Sequence, residues 1–324
     1  MQPRQSILGV GKMRLLTVRH ITSYRYKQPV SFGEHRMMLR PRDSYDQKLI
    51  EARLAITPEP AALRWVHDVF GNCVAIARFS GRATDLCFDS TIRLDHTATN
   101  ALEFQIEDYA ATYPFAYGSE ESPDLLRSIE RQFLDPDRDV DRWARQFLRR
   151  QGPTGTRELL AAMTHAIKER FTYVSRHEIG TQDPIETLKL GSGSCRDFAV
   201  LMIEAVRSLG LAARFVSGYL YVPESRDGGQ IGGGATHAWL EVYIPGAGWI
   251  EYDPTSGVVG NRDLIRVAVV RDARRAVPLS GTWTGFPSDF LGMDVTVSVT
   301  SDGTPEEFGS HDNLIPENRA QSRE

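Results

Sequence analysis

The chain has 324 residues, of which 41% are hydrophobic and 25% are charged, and its mean hydropathy is −0.33. This composition predicts a globular protein of about two domains, because no apolar run reaches the roughly 18 residues that a membrane-spanning helix requires. The formal net charge of −4 gives no electrostatic reason to expect nucleic acid or an anionic membrane as a partner.

Cysteine usage and the amino-terminal stretch indicate the cellular compartment. The three cysteines, Cys73, Cys87 and Cys195, form no C-x-x-C pair, which argues against a disulfide framework and a zinc ribbon. Cys73 and Cys87 lie in strand-like segments and are predicted to be inert core thiols. The apolar stretch near the amino terminus is short and carries Lys12 and Arg14, so it makes a poor signal peptide. We therefore expect a cytoplasmic protein.

Residues 13–110 are predicted to form an all-β domain. Residues 1–12 match no pattern and are expected to be a disordered leader. After them, apolar and polar residues alternate in short segments separated by Pro, Gly, Asn and Asp, which is typical of half-buried strands. The sequence DVFGN (68–72) lies between two β-rich runs and predicts a hairpin.

Residues 111–300 combine helical and strand patterns, which predicts an α+β fold in which a helix bundle packs against an antiparallel sheet. One helix is predicted to begin near Cys195 and end at Gly210, and its largely apolar surface indicates that it is buried. The tail, 301–324, is polar and is expected to be disordered. The other predicted helices cover 122–133, 138–150 and 156–171, and the predicted strands cover 213–222, 237–244 and 249–253, with a closing strand in MDVTVSVT (293–300).

Cys195 follows a run of small residues and begins the buried helix. The unpaired N–H groups and the dipole at a helix amino terminus favour an ionised thiolate, which is the nucleophilic form of cysteine. The same N–H groups can bind the oxyanion that forms when a thiolate attacks a carbonyl. The alternative is a small apolar side chain buried at a helix end, so the chemistry requires a base nearby.

The candidate base is His237, which begins a strand, and the candidate partner is Asp253, which ends the next one. If the turn between the strands has an odd number of residues, Tyr243 opposes Trp249, and His237 is a diagonal neighbour of Asp253 on the same side of the sheet. An even-numbered turn would place them on opposite sides. Taken alone, His237 has the alternative of an ordinary strand histidine. Asp253, which precedes Pro254, has the alternative of a turn former. Together with Cys195 they predict a nucleophile, a base and an orienting carboxylate.

The sequences GSGSCRDFAVLMIEAVRSLGLAARFVSGYLY and THAWLEVYIPGAGWIEYDPTSG resemble the bacterial transglutaminase-like superfamily, whose core has a papain-like fold. The segments RHITSYRYKQPVSFGEHRMMLRPRDS and LRWVHDVFGNCVAIARFSG resemble the β-rich amino-terminal domain that accompanies this core in one bacterial subgroup. The resemblance runs from about residue 13 to about residue 299. It implies Cys195, His237 and Asp253 as the catalytic triad.

Four further residues are candidates for contact with the oxyanion or the substrate. Arg196 stands where relatives often carry Gln, and we expect it to alter substrate choice. Tyr173 matches the aromatic residue that often helps relatives to bind the oxyanion. Ser194 and Trp239 are candidates because they lie close in sequence to the predicted nucleophile and base; as an alternative, Ser194 is an ordinary loop residue.

Other motifs are weaker. The HE at 177–178 lacks the second His of a zinc-binding H-E-x-x-H, and GGQIGGG (228–234) is expected to be a mobile lip beside the predicted base rather than a phosphate loop.

The predicted function is acyl transfer from a peptide or protein amide through a thioester, without a cofactor and with hydrolysis slightly favoured over transfer to an amine. A non-catalytic peptide-binding module and a zinc site are the alternatives, and the oligomeric state stays open.

Overall fold

The computed structural model describes residues 13–98, 104–176, 180–222 and 235–301. The predicted leader, the tail beyond residue 301, the HE at 177–178 and the glycine-rich lip lie outside these ranges. Within them, a strand-rich amino-terminal domain precedes a core of helices and antiparallel sheet, which confirms the α+β class. No helix in the described ranges has both the length and the apolar character needed to span a bilayer.

The amino-terminal domain is a sheet whose strands follow the order β2-β5-β1-β4-β3. Alternate residues of β5, among them Phe88, Ile92 and Leu94, are buried, as the alternating sequence pattern predicts. The predicted hairpin is present, and the Asp68 carboxylate accepts hydrogen bonds from the backbone of its turn. The strands are β1 (Met13–Arg40), β2 (Gln47–Thr57), β3 (Ala62–His67), β4 (Cys73–Arg78) and β5 (Arg82–Thr97).

Cys73 and Cys87 lie on this sheet but not in its core. Both are intermediate in exposure, unlike Cys195, which is buried. The expectation of two core thiols is therefore wrong. Cys73 is the first residue of β4, where the hairpin turn opens to solvent, and Cys87 accepts a hydrogen bond from the Ser23 hydroxyl at 3.4 Å.

The helices of the core surround one buried helix, α5, which begins at Cys195 as predicted. The elements before the second sheet are β6 (Thr112–Tyr113), α1 (Ser122–Ile129), α2 (Asp139–Arg145), β7 (Thr154–Gly155), α3 (Thr156–Arg170), β8 (Thr172–Tyr173), α4 (Pro184–Leu190), β9 (Ser192–Gly193) and α5 (Cys195–Ser208). Phe198 and Met202 of α5 pack in one cluster with Leu240 and Val242 of the sheet. Each such side chain stabilises the fold by about 1.5–3 kcal/mol when fully buried.

Two helices are shorter than predicted, and α4 was missed. α1 stops because the backbone N–H groups of Gln132 and Phe133 donate to the buried Glu204 carboxylate rather than continuing the helix. After α2 the chain continues in 3₁₀-type turns, because the N–H groups of Phe147 and Leu148 donate to carbonyls three residues earlier rather than four. α4 is only one Pro-initiated segment of seven residues, capped by the Asp183 carboxylate, and so has little periodicity to detect.

The core sheet has the strand order β13-β12-β11-β10-β14. Its strands are β10 (Ala213–Leu220), β11 (His237–Ile244), β12 (Gly248–Asp253), β13 (Val258–Val259) and β14 (Leu264–Val270). Ile244 pairs with Gly248, so the turn between β11 and β12 has three residues, and Tyr243 faces Trp249. This is the odd-numbered arrangement that places residues 237 and 253 on one side of the sheet. β13 and β14 were not predicted from the sequence.

The last strands return to the amino-terminal sheet. They are β15 (Leu279–Thr284) and β16 (Phe290–Ser301), and both pair with β1. The closing strand predicted at 293–300 is therefore present, but the sequence analysis grouped it with the core (111–300), whereas its hydrogen bonds place it in the sheet of the amino-terminal domain. Pairing between residues so far apart leaves no local signal in the sequence.

Candidate active site

The amino terminus of α5 is held by a carboxylate two residues after Cys195. Asp197 is fully buried, and it accepts hydrogen bonds from the backbone N–H and the hydroxyl of Ser194, both at 2.8 Å. The S-x-x-D spacing of Ser194 and Asp197 is that of a capping box. Ser194 therefore serves as the residue before the helix, and this structure gives no support to a contact between its hydroxyl and substrate.

Asp197 also connects the nucleophile to two neighbouring segments. Its carboxylate accepts from the backbone N–H of Gln182 at 2.7 Å and from the Arg176 guanidinium at 2.9 Å. Asp197 was not among the site residues predicted from the sequence, although its capping-box spacing from Ser194 is a signal that identifies it. Four donors converge on one carboxylate, so Asp197 fixes the position of the backbone on which Cys195 lies.

A short parallel pair of strands, β8 and β9, brings Tyr173 next to the amino terminus of α5. Tyr173 of β8 pairs with Gly193 of β9, two residues before Cys195. Burial raises the pKa of Tyr173, and the charges of Cys195 and Asp197 add to the rise, which places its phenol within electrostatic reach of the thiol. The structure thus brings together Cys195 and the tyrosine that the resemblance implied.

His237 and Asp253 form a buried pair at the edge of the same region. Nε2 of His237 donates to Oδ2 of Asp253 at 2.8 Å, and both side chains are fully buried. Asp253 also accepts from the backbone N–H of Thr255 at 2.9 Å and from the hydroxyl of Ser256. Thr255 and Ser256 follow Asp253 in a D-P-T-S turn, so the chain that leaves β12 holds its own last carboxylate in place.

The charges of this pair stabilise one another. Burial lowers the pKa of His237. The Asp253 carboxylate and Cys195 together raise it by a larger amount, so that the net value is about 10. Burial alone would raise the pKa of Asp253, but His237 and the donors from the turn hold it below its ordinary value. Nδ1 of His237 has no nitrogen or oxygen partner among the described residues, which leaves that atom to the thiol.

The side chains of Arg196 and Trp239 both make contacts within the protein. The Arg196 guanidinium donates to the carbonyls of Ala273 and Ala276, at 2.6 and 3.2 Å, and lies 4.8 Å from the ring centre of Phe215. It therefore anchors the segment after β14. Trp239 is fully buried and stacks on His237, with ring centres 5.9 Å apart, so its place is behind the imidazole.

The described residues contain no group of three or more His, Cys, Asp or Glu side chains arranged to hold a metal ion. The alternative of a zinc site therefore has no support in these ranges. The arrangement that they do contain is a thiol at a helix amino terminus beside an imidazole that is hydrogen-bonded to a carboxylate, which is the geometry of an activated nucleophile.

Comparisons with known proteins identify the family of both domains. The profile of the "Bacterial transglutaminase-like N-terminal region" matches residues 16–95, and that of the "Transglutaminase-like superfamily" matches residues 141–254. The second match contains Cys195, His237 and Asp253. Both matches confirm the resemblance inferred from the sequence.

Two mycobacterial relatives span nearly the whole chain. An uncharacterized protein of Mycobacterium tuberculosis is 30% identical over 301 residues, which cover 87% of this chain and 91% of the relative. An uncharacterized protein of Mycobacterium leprae is 25% identical over 290 residues, which cover 88% of this chain and 98% of the relative.

A solved structure shows the same fold. The crystal structure of a candidate cysteine protease from Cytophaga hutchinsonii superimposes with a TM-score of 0.66 and 20% sequence identity, over 90% of this chain and 92% of the other. With both domains matched by family profiles and the fold shared along almost its full length, this chain belongs to the transglutaminase-like superfamily, in the form that carries the bacterial transglutaminase-like amino-terminal region.

Proposed function

We propose that the protein is a cysteine-dependent acyl-transfer enzyme that acts on peptide or protein amides. The observation that carries the proposal is the buried His237–Asp253 hydrogen bond of 2.8 Å beside a thiol at the start of α5. Membership of the superfamily supports a peptide or protein substrate. An imidazole with a raised pKa stabilises the thiolate as an ion pair, and this pair is the reactive form of the site.

The reaction has two halves. The Cys195 thiolate attacks the amide carbonyl carbon, the C–N bond breaks, and the His237 imidazolium gives its proton to the leaving amine, which leaves a thioester. His237 then takes a proton from the acceptor as that acceptor attacks the thioester carbon, the C–S bond breaks, and the product leaves with the Cys195 thiolate and the His237 imidazolium restored. Asp253 holds the ring and balances its charge throughout.

The oxyanion that forms in each half requires hydrogen-bond donors. The backbone N–H of Ser194 donates to Asp197 and cannot serve, whereas the N–H of Cys195 lies in the first turn of α5, where helices have no internal acceptor. The Tyr173 hydroxyl is the second donor in this proposal. Its raised pKa keeps it protonated, and therefore able to donate, at neutral pH.

We favour water as the acceptor in the second half of the reaction, because water needs no second binding site whereas an amine acceptor does. The experiment is to incubate the full chain with a peptide library, with and without a primary amine, and to identify products by mass spectrometry. Cleaved peptides would indicate a peptidase or amidase, and amine-modified glutamine a transglutaminase.

The Cys195→Ala variant, checked for folding by circular dichroism, is the control. We expect it to bind peptides without changing them. Equal product from this variant and the wild type would contradict the mechanism. Peptide binding without turnover by either protein would instead indicate a binding module.

A further inference from the structure

One arginine of the core, Arg266, is held by three residues of segment 44–47 in the amino-terminal domain. The Arg266 guanidinium of β14 donates to the Asp46 carboxylate at 2.9 Å and to the Ser44 hydroxyl at 3.2 Å. The backbone of Arg266 is held as well, because Gln47 accepts from its N–H at 3.1 Å and donates to its carbonyl at 2.8 Å. Segment 44–47 therefore fixes both the main chain and the side chain of this residue.

The same guanidinium also reaches the strand of Asp253. Its Nη1 atom donates to the Glu251 carboxylate of β12. Glu251 and Asp253 are alternate residues of one strand, so their side chains leave the same face. An ion pair at Glu251 therefore restrains the part of β12 that ends in Asp253.

Arg266 also shares a row of the sheet with His237. Gly218 of β10 pairs with Arg266 on one side and with His237 on the other. Gly218 has no side chain, and a Cβ atom there would lie 2.0 Å from the Ile265 carbonyl oxygen, so the three strands pack closely at this row. The position of Arg266 is thus tied to both members of the His237–Asp253 pair, one through the row and one through Glu251.

We propose that Arg266 is a positioning residue through which the amino-terminal domain holds His237 and Asp253 in register with Cys195. The proposal rests on the proposed function, since it assigns the amino-terminal domain a part in the same site. Alignment of reacting groups is sensitive to small displacements, and a misplacement of about 1 Å can cost about 100-fold in rate.

The charges around Arg266 make this contact dependent on pH. Three buried carboxylates, Asp46, Glu241 and Glu251, share two guanidinium groups, those of Arg266 and Arg214, and the Tyr45 phenol lies close to them. Burial raises the pKa of Glu251 to about 7, with Arg266 opposing the rise and Glu241 and Asp46 adding to it. Glu251 is therefore ionised, and pairs with Arg266 as an anion, on the alkaline side of neutrality.

The test compares full-length variants by the rate at which iodoacetamide alkylates Cys195, with the modified cysteine identified by mass spectrometry. This rate reports the thiolate–imidazolium pair and needs no substrate, so it stays informative if no amide is turned over. The variants are Asp46→Asn and Glu251→Gln. The matched control is Arg14→Gln, which removes another ion pair between the domains, Arg14–Asp263 at 2.8 Å, without a contact to β12.

We expect Asp46→Asn to slow alkylation of Cys195 by about tenfold at pH 8, while Arg14→Gln stays within about twofold of wild type. The wild-type rate should also change between pH 6 and pH 8 with an inflection near 7 that Glu251→Gln lacks. A folded Asp46→Asn protein with the wild-type rate, or an equal loss in Arg14→Gln, would overturn the proposal.

A different result of the same experiment would contradict the proposed function. If Cys195 is alkylated no faster than Cys73 and Cys87 in the wild type, the thiolate itself is absent, and acyl transfer rather than the role of Arg266 is contradicted. Should Asp46→Asn fail to fold, Glu251→Gln decides the question. If the Cys195 alkylation rate of Glu251→Gln lacks the inflection near pH 7, the positioning role of Arg266 is supported. If its pH profile equals that of wild type, the positioning role is overturned.

Discussion

Gly218 of β10 is the cross-strand partner of His237 of β11, and three strands pack closely at this residue beside the candidate catalytic pair. A Cβ atom at this position would lie 2.0 Å from the Ile265 carbonyl oxygen and 2.7 Å from Cη2 of Trp239. One contact is backbone, which cannot turn aside as the end of a flexible side chain can.

Gly218→Ala should therefore destabilise the protein. We expect a loss of about 1–3 kcal/mol in the free energy of unfolding, measured by urea denaturation, because overpacking forces the backbone to shift. Gly81→Ala is the matched control, since a Cβ atom there meets nothing within 4 Å. The control should stay within about 0.5 kcal/mol of wild type, and an equal loss in both variants would contradict the packing argument.

Loss of the nucleophile and loss of the orienting carboxylate should differ in size. Cys195→Ala should abolish turnover with little change in stability, because the substitution removes only the sulfur atom of this buried side chain. Asp253→Asn should lower kcat by about 10²–10⁴-fold but leave measurable activity, since it disturbs the ring and its charge without removing the attacking atom. Steady-state kinetics on one peptide would show the order, and a larger loss from Asp253→Asn would contradict these roles.

Asp197 should matter for both stability and reactivity. Asp197→Ala removes the acceptor of four hydrogen bonds and leaves buried donors without a partner, which costs about 1–3 kcal/mol for each group that water cannot reach. We expect a lower urea midpoint together with slower alkylation of Cys195. Asp124 occupies the same third position in α1 but is exposed, so Asp124→Ala should change neither quantity.

The His237–Asp253 pair should make stability depend on pH in two windows. His237 has a folded pKa raised from 6.5 to about 10, so its contribution is complete below 6.5 and is lost as the pH rises through 10. Asp253 has a folded pKa below its ordinary 3.8, so its contribution is complete above 3.8 and is lost as the pH falls further. The contribution of the pair is therefore largest between about pH 4 and 6.5.

Urea unfolding of wild type and Asp253→Asn across this range measures the effect. The difference in the free energy of unfolding should be widest near pH 5 and should narrow toward pH 10. A difference that stays constant across the whole range would show that the histidine carries no charge in the folded protein.

The sequence was most informative about residues that lie close together in the chain. It reduced the relation between His237 and Asp253 to whether the turn between their strands has an odd or an even number of residues, and the pairing of Tyr243 with Trp249 shows the odd case. The burial of α5 followed from its nearly uniform apolar surface. Both inferences depend on residues close together in the chain, where periodicity carries the signal.

Other features depend on residues that meet only after folding. β14 was missed because LIRVAVV is a short apolar run without alternation, which does not distinguish a buried strand from a buried helix. The contacts of Arg196 with Ala273 and Ala276 could not be predicted either, because they join residues 77 and 80 positions apart. The contacts of Arg266 with segment 44–47 join residues 219 to 222 positions apart, and no local pattern predicts them.

The pairing of β1 with β16 has a consequence for synthesis. β1 is synthesised long before its lateral partner β16, so the amino-terminal sheet stays open along that side until β16 has left the ribosome. In the meantime, unpaired backbone groups from residue 16 to residue 26 offer a template to any other nascent strand. A chain arrested before residue 290 should therefore aggregate through β1, and chaperone demand should fall sharply once β16 has been released.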